Sequence, residues 1–418
     1  MNLPKLYTMK KYTIVAAGIP LYFITGLLSI YALTVHPTKI ATFVFLFTVM
    51  FGLSILMIVW AARKKLLIWS ILSGLVFFIA GYLINAKIYL SREDGRLIPE
   101  ITRQPGPSKG HTAVVYFTHG EPETFNPIGW LNQFREFDQQ GIRFVPFIAR
   151  PLFIKSLRQK YLEVGQSHHR QGHIAMLKSL ETLYRQQGDS TTRFYISFLD
   201  DEPRPDAAVI RALNEGADRI IVATVFVSVS NHTAEGKHLV ELLDCEKKYG
   251  VKLVFADPMW NSEILASAFV DKVNARIGST PKNQVAIALI GHGQPKEWDV
   301  EFPTETAQEI EFRDRIMDAF QKDGYKRENM GKAWMEFREP KPYELLDKFN
   351  KEGVKKVLFF AAAISADGIH SQADIPALVG EYPFPPAVEV INLGAWNDHP
   401  LVIKAIKERI DQQLAGLL

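Results

Sequence analysis

Apolar residues follow two regimes along the chain. Up to about residue 90 they run almost unbroken; from about residue 112 they come in strand-length bursts that alternate with helix-length stretches. In the first regime, residues 12–35, 40–62 and 66–86 are each free of charged side chains. Each has about the 20 residues needed to span a hydrocarbon core. The pattern predicts three transmembrane helices in residues 1–90 and a lipid bilayer as partner. A cleaved signal peptide would be one shorter segment with a cleavage site. No span holds an ionisable residue that would mark a transport path, so the expected role is anchoring.

Charge around the spans bears on orientation. Lys5, Lys10 and Lys11 precede the first span, and Arg63, Lys64 and Lys65 join the second to the third, whereas His36 and Lys39 fill the other loop. The positive-inside rule puts the N-terminus in the cytoplasm and, after three spans, the remainder on the far side. Lys87, Arg92 and Arg96 weaken this bias. Residues 91–111 carry Pro99, Pro105 and Pro107 and read as a linker.

Beyond the linker, apolar runs predict strands at 113–118, 193–198, 219–228, 251–256, 284–290, 332–337, 355–364 and 387–392, separated by helical stretches. That alternation predicts an α/β fold with parallel sheets. The strands fall into two similar sets, so the expected organisation is one half at 112–278 and a second at 279–418. Phe117-Thr118-His119-Gly120-Glu121-Pro122 corresponds to Ile290-Gly291-His292-Gly293-Gln294-Pro295. Asp201-Glu202-Pro203 corresponds to Arg338-Glu339-Pro340, each opening a helix. His232 and His370 follow corresponding third strands. Extra sequence at 139–187 sets the first half apart.

Composition narrows the chemistry. A net charge of +3 carries no nucleic-acid footprint. The single Cys245 excludes an intrachain disulfide framework and a multi-cysteine metal site, and it reads as a small buried residue. There is no G-x-S-x-G elbow and no H-E-x-x-H helix, which argues against a hydrolase.

His292, Glu339 and His370 all lie just after predicted strands of one sheet, the edge where ligands bind in open α/β sheets. Two imidazoles and a carboxylate suit divalent iron, cobalt, nickel or zinc, and a neutral imidazole also accepts protons. Each strand-end histidine could instead hydrogen-bond its loop, and Glu339 could simply complement a helix N-terminus. Glu336 is the alternative acid, placed inside a predicted strand. His169 and His173 are spaced i, i+4 beside His168, but without the metalloprotease glutamate they read as a solvated helix face. Asn231-His232-Thr233 matches a glycosylation sequon beside a predicted strand, where use is not expected.

Gly368-Ile369-His370-Ser371-Gln372-Ala373-Asp374-Ile375-Pro376, together with Trp334-Met335-Glu336-Phe337-Arg338-Glu339-Pro340 and the two His-Gly motifs, resembles the class II tetrapyrrole chelatases. That family includes the sirohydrochlorin cobalto- and ferrochelatases. The resemblance covers roughly 112–415 in two tandem copies. It implies two flavodoxin-like halves around a cleft and insertion of cobalt, iron or nickel, as a substrate ion, into a tetrapyrrole. It requires no organic cofactor. It implies His292 and His370 as metal and base residues assisted by Glu339, with His119 and His232 as further metal residues. After His232 the chain lacks Asp-Ile-Pro, which favours the second half as active. Cytoplasmic chemistry conflicts with the charge bias. A membrane-anchored carrier of metal or tetrapyrrole, binding without turnover, is the alternative.

Overall fold

In the computed structural model of this protein, residues 18–30, 33–34, 37–60, 64–93, 95, 98–104, 106, 110–139, 141–142 and 145–417 are described. They divide into two compact units, one joining Met1–Gly95 to Asn126–Lys160, the other joining Arg96–Phe125 to Tyr161–Leu418. A segment expected inside the first half therefore belongs with the N-terminal helices.

The first unit contains α1 (Gly18–Ile30), α2 (Pro37–Trp60), α3 (Lys64–Leu90), α4 (Ile128–Gln139) and the start of α5 (Arg150–Val164). Among the described residues, one helical stretch, Ile71–Leu90, is long and apolar enough to cross a membrane; Gly18–Ile30 and Val44–Leu56 are shorter apolar helices. This supports one of the three expected spans. Residues 12–17 of the first span, with Lys5, Lys10, Lys11, His36, Arg63 and Arg96, lie outside the described residues. Helices α1 and α3 meet backbone to backbone. A Cβ on Gly26 would come within 2.1 Å of the Phe78 carbonyl oxygen, and one on Gly81 within 2.2 Å of that of Phe23. Small residues permit this approach, which lets Asn85 Nδ2 donate to the Leu27 carbonyl at 2.6 Å.

The second unit holds two four-stranded parallel sheets of the same topology. The first comprises β1 (His111–Thr118), β2 (Arg193–Phe198), β3 (Ala217–Thr224) and β4 (Lys252–Ala256), in the order β2-β1-β3-β4. Between its strands lie α6 (His169–Gln186), α7 (Pro205–Asn214), α8 (Asn231–Glu241) and α9 (Cys245–Tyr249), and α10 (Glu263–Asn274) follows. The second comprises β5 (Val285–Gly291), β6 (Met330–Trp334), β7 (Lys356–Ala361) and β8 (Glu389–Asn392), in the order β6-β5-β7-β8. With it come α11 (Trp298–Glu301), α12 (Pro303–Lys322), α13 (Pro342–Lys351), α14 (Ile375–Gly380) and α15 (Pro400–Leu417). The two tandem α/β halves expected from the alternating pattern are present.

Strand β1 from Thr112 and all of β5 are buried, as continuous apolar runs in a covered parallel sheet should be. The strand expected at 219–228 ends at Thr224. Its pairing with β4 stops at Ala223–Ala256 and β1 stops at Thr118, so after Val225, whose N–H still donates to the Phe117 carbonyl, Phe226 and Val227 have no ladder to join despite their β propensity. The halves share their interior. One continuous core joins Val114, Tyr116 and Ile221 of the first sheet to Ile287, Leu358 and Phe360 of the second. Helix α15, last in the chain, packs on β3 and β4 of the first sheet. Cys245 is buried, and burial pushes its thiol up to about 11.

Candidate active site

In a 2-1-3-4 sheet, loops leaving strands 1 and 3 diverge to opposite faces and open a crevice at the carboxyl edge. His119 follows β1 and His232 opens the helix after β3; His292 follows β5 and His370 lies beyond β7. The structure thus brings the four histidines together as two pairs. The rings of His119 and His232 are 4.7 Å apart, and those of His292 and His370 are 5.1 Å apart, both edge-on.

Each pair is oriented by local bonds. His292 Nδ1 lies 2.6 Å from the Gly293 carbonyl and His119 Nδ1 lies 2.8 Å from that of Gly120. A carbonyl only accepts, so both rings carry a proton on Nδ1, and the neutral His292 keeps its lone pair on Nε2. His370 and Asp374 sit on a single π turn, His370–Asp374, with Nδ1 2.7 Å from Asp374 Oδ2. Such a carboxylate partner fixes the ring and strengthens Nε2 as a ligand. His232 enters through a capped helix start. Ser230 accepts from the Thr233 N–H, and Thr233 Oγ1 accepts from the Ser230 N–H at 2.8 Å, a box typically worth about 1 kcal/mol. Asn231 of the sequon is buried there, as expected of an unused one.

The backbone also sets the acids. The Asp200 N–H donates to the His119 carbonyl at 2.7 Å and the Glu336 N–H donates to that of His292 at 3.0 Å, so these two residues are structural equivalents. Asp200 Oδ2 lies 3.4 Å from His119 Nε2. Glu336 acts on both His292 and His370. Glu339, preferred from the sequence, is exposed in the following loop, and the carboxylates acting on His370 are Asp374, Glu336 and Glu121. The strand ends at Trp334, three residues earlier than expected, and this leaves Glu336 at the rim.

Electrostatics divide the pair. Burial, then the neighbouring His370, lowers His292 and keeps its imidazole neutral, although Glu336 opposes this. Burial would lower His370 too, but the bond and charge of Asp374, with Glu336 and Glu121, outweigh it and hold it above the ordinary value. His232 is pushed well below its ordinary value by burial and by His119 and His292.

The expected solvated face of α6 is a correction. His168 is exposed, but His169 and His173 are buried, because α6 carries this face into the shared core. His173 Nδ1 is bonded to Tyr116 Oη at 2.8 Å, and its Nε2 lies 3.1 Å from Thr118 Oγ1 and 3.2 Å from Ser365 Oγ. Burial, then His119, pushes it down to about 3, so it stays neutral. The i, i+4 spacing was visible; the hydroxyls that make burial tolerable come from β1 and from the loop after β7, far away in sequence.

Behind His292, α12 carries Glu305 and Glu309. Glu309 accepts from the His292 and Gly293 N–H groups. Burial, then Glu309 and Asp299, pushes Glu305 up to about 8 from an ordinary 4.5. The folded state then holds a proton across that window which the unfolded chain releases, so stability falls as pH rises through it. Glu305→Gln removes this dependence. Denaturant midpoints of variant and wild type should coincide near pH 5 and diverge towards pH 8, with the variant more stable.

Among the described residues, no group of three or more His, Cys, Asp or Glu side chains converges as a ready metal cage. The arrangement is two histidine pairs with a carboxylate beside each. It suits an ion that passes through with coordination positions to spare, and side chains that take up protons.

Comparison with known proteins follows the same line. The ferrochelatase family model matches residues 111–414. Comparison with curated proteins returns no match. Among solved structures, SirB from Bacillus subtilis with Fe3+ is similar at 15% identity and a TM-score of 0.46, covering 73% of this chain and 96% of that one. The sirohydrochlorin chelatase SirB from Bacillus subtilis subspecies spizizenii, in complex with cobalt, is similar at 14% identity and a TM-score of 0.42, over 72% of this chain and 94% of that one. A multi-domain protein from Deinococcus radiodurans described as structurally similar to chelatases is 14% identical, with a TM-score of 0.45, over 72% of this chain and 55% of that one. The family match takes in both sheets and all four histidines, and the chain belongs to the ferrochelatase family of metal chelatases.

Proposed function

We propose that this protein inserts Fe2+ or Co2+ into a tetrapyrrole of the sirohydrochlorin or porphyrin type, and that His292 and His370 handle the metal. The observation that carries this reading is the oriented pair itself. Burial keeps His292 neutral with Nδ1 on the Gly293 carbonyl, and His370 is tied through Nδ1 to Asp374, so two oriented imidazoles lie with their rings 5.1 Å apart at the sheet edge. The incoming ion must shed water while the macrocycle gives up two pyrrole protons. His292 and His370 offer the ion replacement ligands. Glu336, at the rim, is placed to take protons as they leave.

The two halves differ in a way that favours the second. The position four residues after His370 is Asp374, whereas four after His232 is Gly236. A Cβ there would lie 2.1 Å from Phe117 Cζ, so no carboxylate fits. His119 and His232 serve as a secondary metal-binding pair, with the Asp200 carboxylate close by, 3.4 Å from His119 Nε2. For the first unit, the exposed apolar surface of α3 and its stretch Ile71–Leu90 support an anchor in a lipid bilayer; α1 and α2 carry shorter apolar stretches.

The test is anaerobic metallation by the full chain in detergent, followed by absorbance, with sirohydrochlorin and protoporphyrin each offered Fe2+, Co2+ and Ni2+. Turnover above the uncatalysed rate identifies the substrate pair. Tight stoichiometric binding of metal or macrocycle, without metallation, would overturn the enzyme reading in favour of a carrier.

A further inference from the structure

The second histidine of each pair is held from the opposite half. The Ile369 N–H, immediately before His370, donates to Glu121 Oε1 at 2.9 Å, and Glu121 stands in the loop after β1 of the first half. The fit is close: a Cβ on Gly368 would lie 2.9 Å from Glu121 Oε2, so a larger residue there would push the carboxylate aside. Two residues past His370, Gln372 is also clasped by the first half. Its Oε1 accepts from the His168 N–H at 2.9 Å and its Nε2 donates to the Gln166 carbonyl at 3.1 Å.

The reverse arrangement holds His232. Its approach is gripped by α12 of the second half. Gln308 Oε1 accepts from the Val229 N–H at 2.7 Å, Thr304 Oγ1 donates to the Val229 carbonyl at 3.2 Å, and Glu305 accepts from the Asn231 N–H. Asn231 immediately precedes His232 as Ile369 precedes His370. Gln294, the counterpart of Glu121, turns into its own half and donates to Asp299 at 2.7 Å. Glu305 has taken over the crossing bond in that direction.

The geometry points to reciprocal bracing: Glu121 and Glu305 are positioning residues, each fixing the histidine-bearing turn of the other half. Neither pair is then set by its own half alone, and Glu121 carries a first-half charge into the second-half site. The consequence for metal handling rests on the function proposed above; the bracing itself does not.

Hydrogen–deuterium exchange on the full chain in detergent separates the two. Glu121→Ala should speed exchange in the segment containing Ile369 and leave that containing Asn231 unchanged. Glu305→Ala should do the opposite. Glu121→Gln, which keeps an acceptor oxygen, should restore protection at Ile369. With Co2+ as probe, Glu121→Ala should weaken binding by about tenfold, the scale of losing a partner behind a metal ligand, and Glu121→Gln should recover most of it. Unchanged exchange in both alanine variants, or loss in both segments together, would overturn the bracing. The crossed exchange pattern without any Co2+ binding by wild type would uphold the bracing and sink the metal reading instead.

Discussion

His292→Ala and His370→Ala each lower the metallation rate by about 10²-fold or more, the scale of losing a positioned acid–base or metal-binding group. Both rings are pre-set by bonds through Nδ1, His292 to the Gly293 carbonyl and His370 to Asp374, so their Nε2 atoms are spent on nothing else. Removing either one breaks the pair. The double variant should therefore be little worse than the singles, as for groups that act as a unit. Initial rates at saturating macrocycle and varied metal provide the check. The pair also predicts a pH dependence. A protonated imidazole cannot ligate, and His370 is held above its ordinary value. Metal affinity should therefore fall as pH drops through that raised value, and Asp374→Asn should shift the fall to lower pH.

Glu336→Gln lowers kcat/KM by about 10- to 100-fold, as for groups supporting metal ligands, whereas Glu339→Gln leaves it unchanged. The substitution keeps the shape at 336 and removes only the charge that faces both histidines. Its N–H still donates to the His292 carbonyl, so the turn survives. Glu339 is exposed and acts on neither histidine. The two variants assayed side by side distinguish them, and equal losses would mean that the rim carboxylate acts through general charge rather than position.

Much of the second unit could be read from the chain. The eight apolar runs became eight strands because buried parallel strands are continuous apolar segments. The His-Gly pairs marked strand ends because glycine and proline stop a ladder. The preference for Glu339 over Glu336 rested on a strand running to 337, whereas β6 ends at Trp334, and strand ends are set by where neighbouring strands stop. His169 and His173 were misread because His173 is met by the hydroxyls of Tyr116, Thr118 and Ser365, one of them from the other half, and His169 packs edge-on against it. Glu121 went unnoticed for the same reason, as its partner Ile369 is remote in sequence. The apolar N-terminal runs were plain, but of the three expected spans the described residues support one, Ile71–Leu90.

The most direct test of the central claim is cobalt X-ray absorption on the full chain loaded with Co2+ in the absence of macrocycle. Two imidazole nitrogens in the wild-type coordination shell, reduced to one in both His292→Ala and His370→Ala and unchanged in His119→Ala, is the expected result. A shell that survives those two substitutions intact but loses nitrogen in His119→Ala or His232→Ala would contradict the assignment and move the metal to the first half.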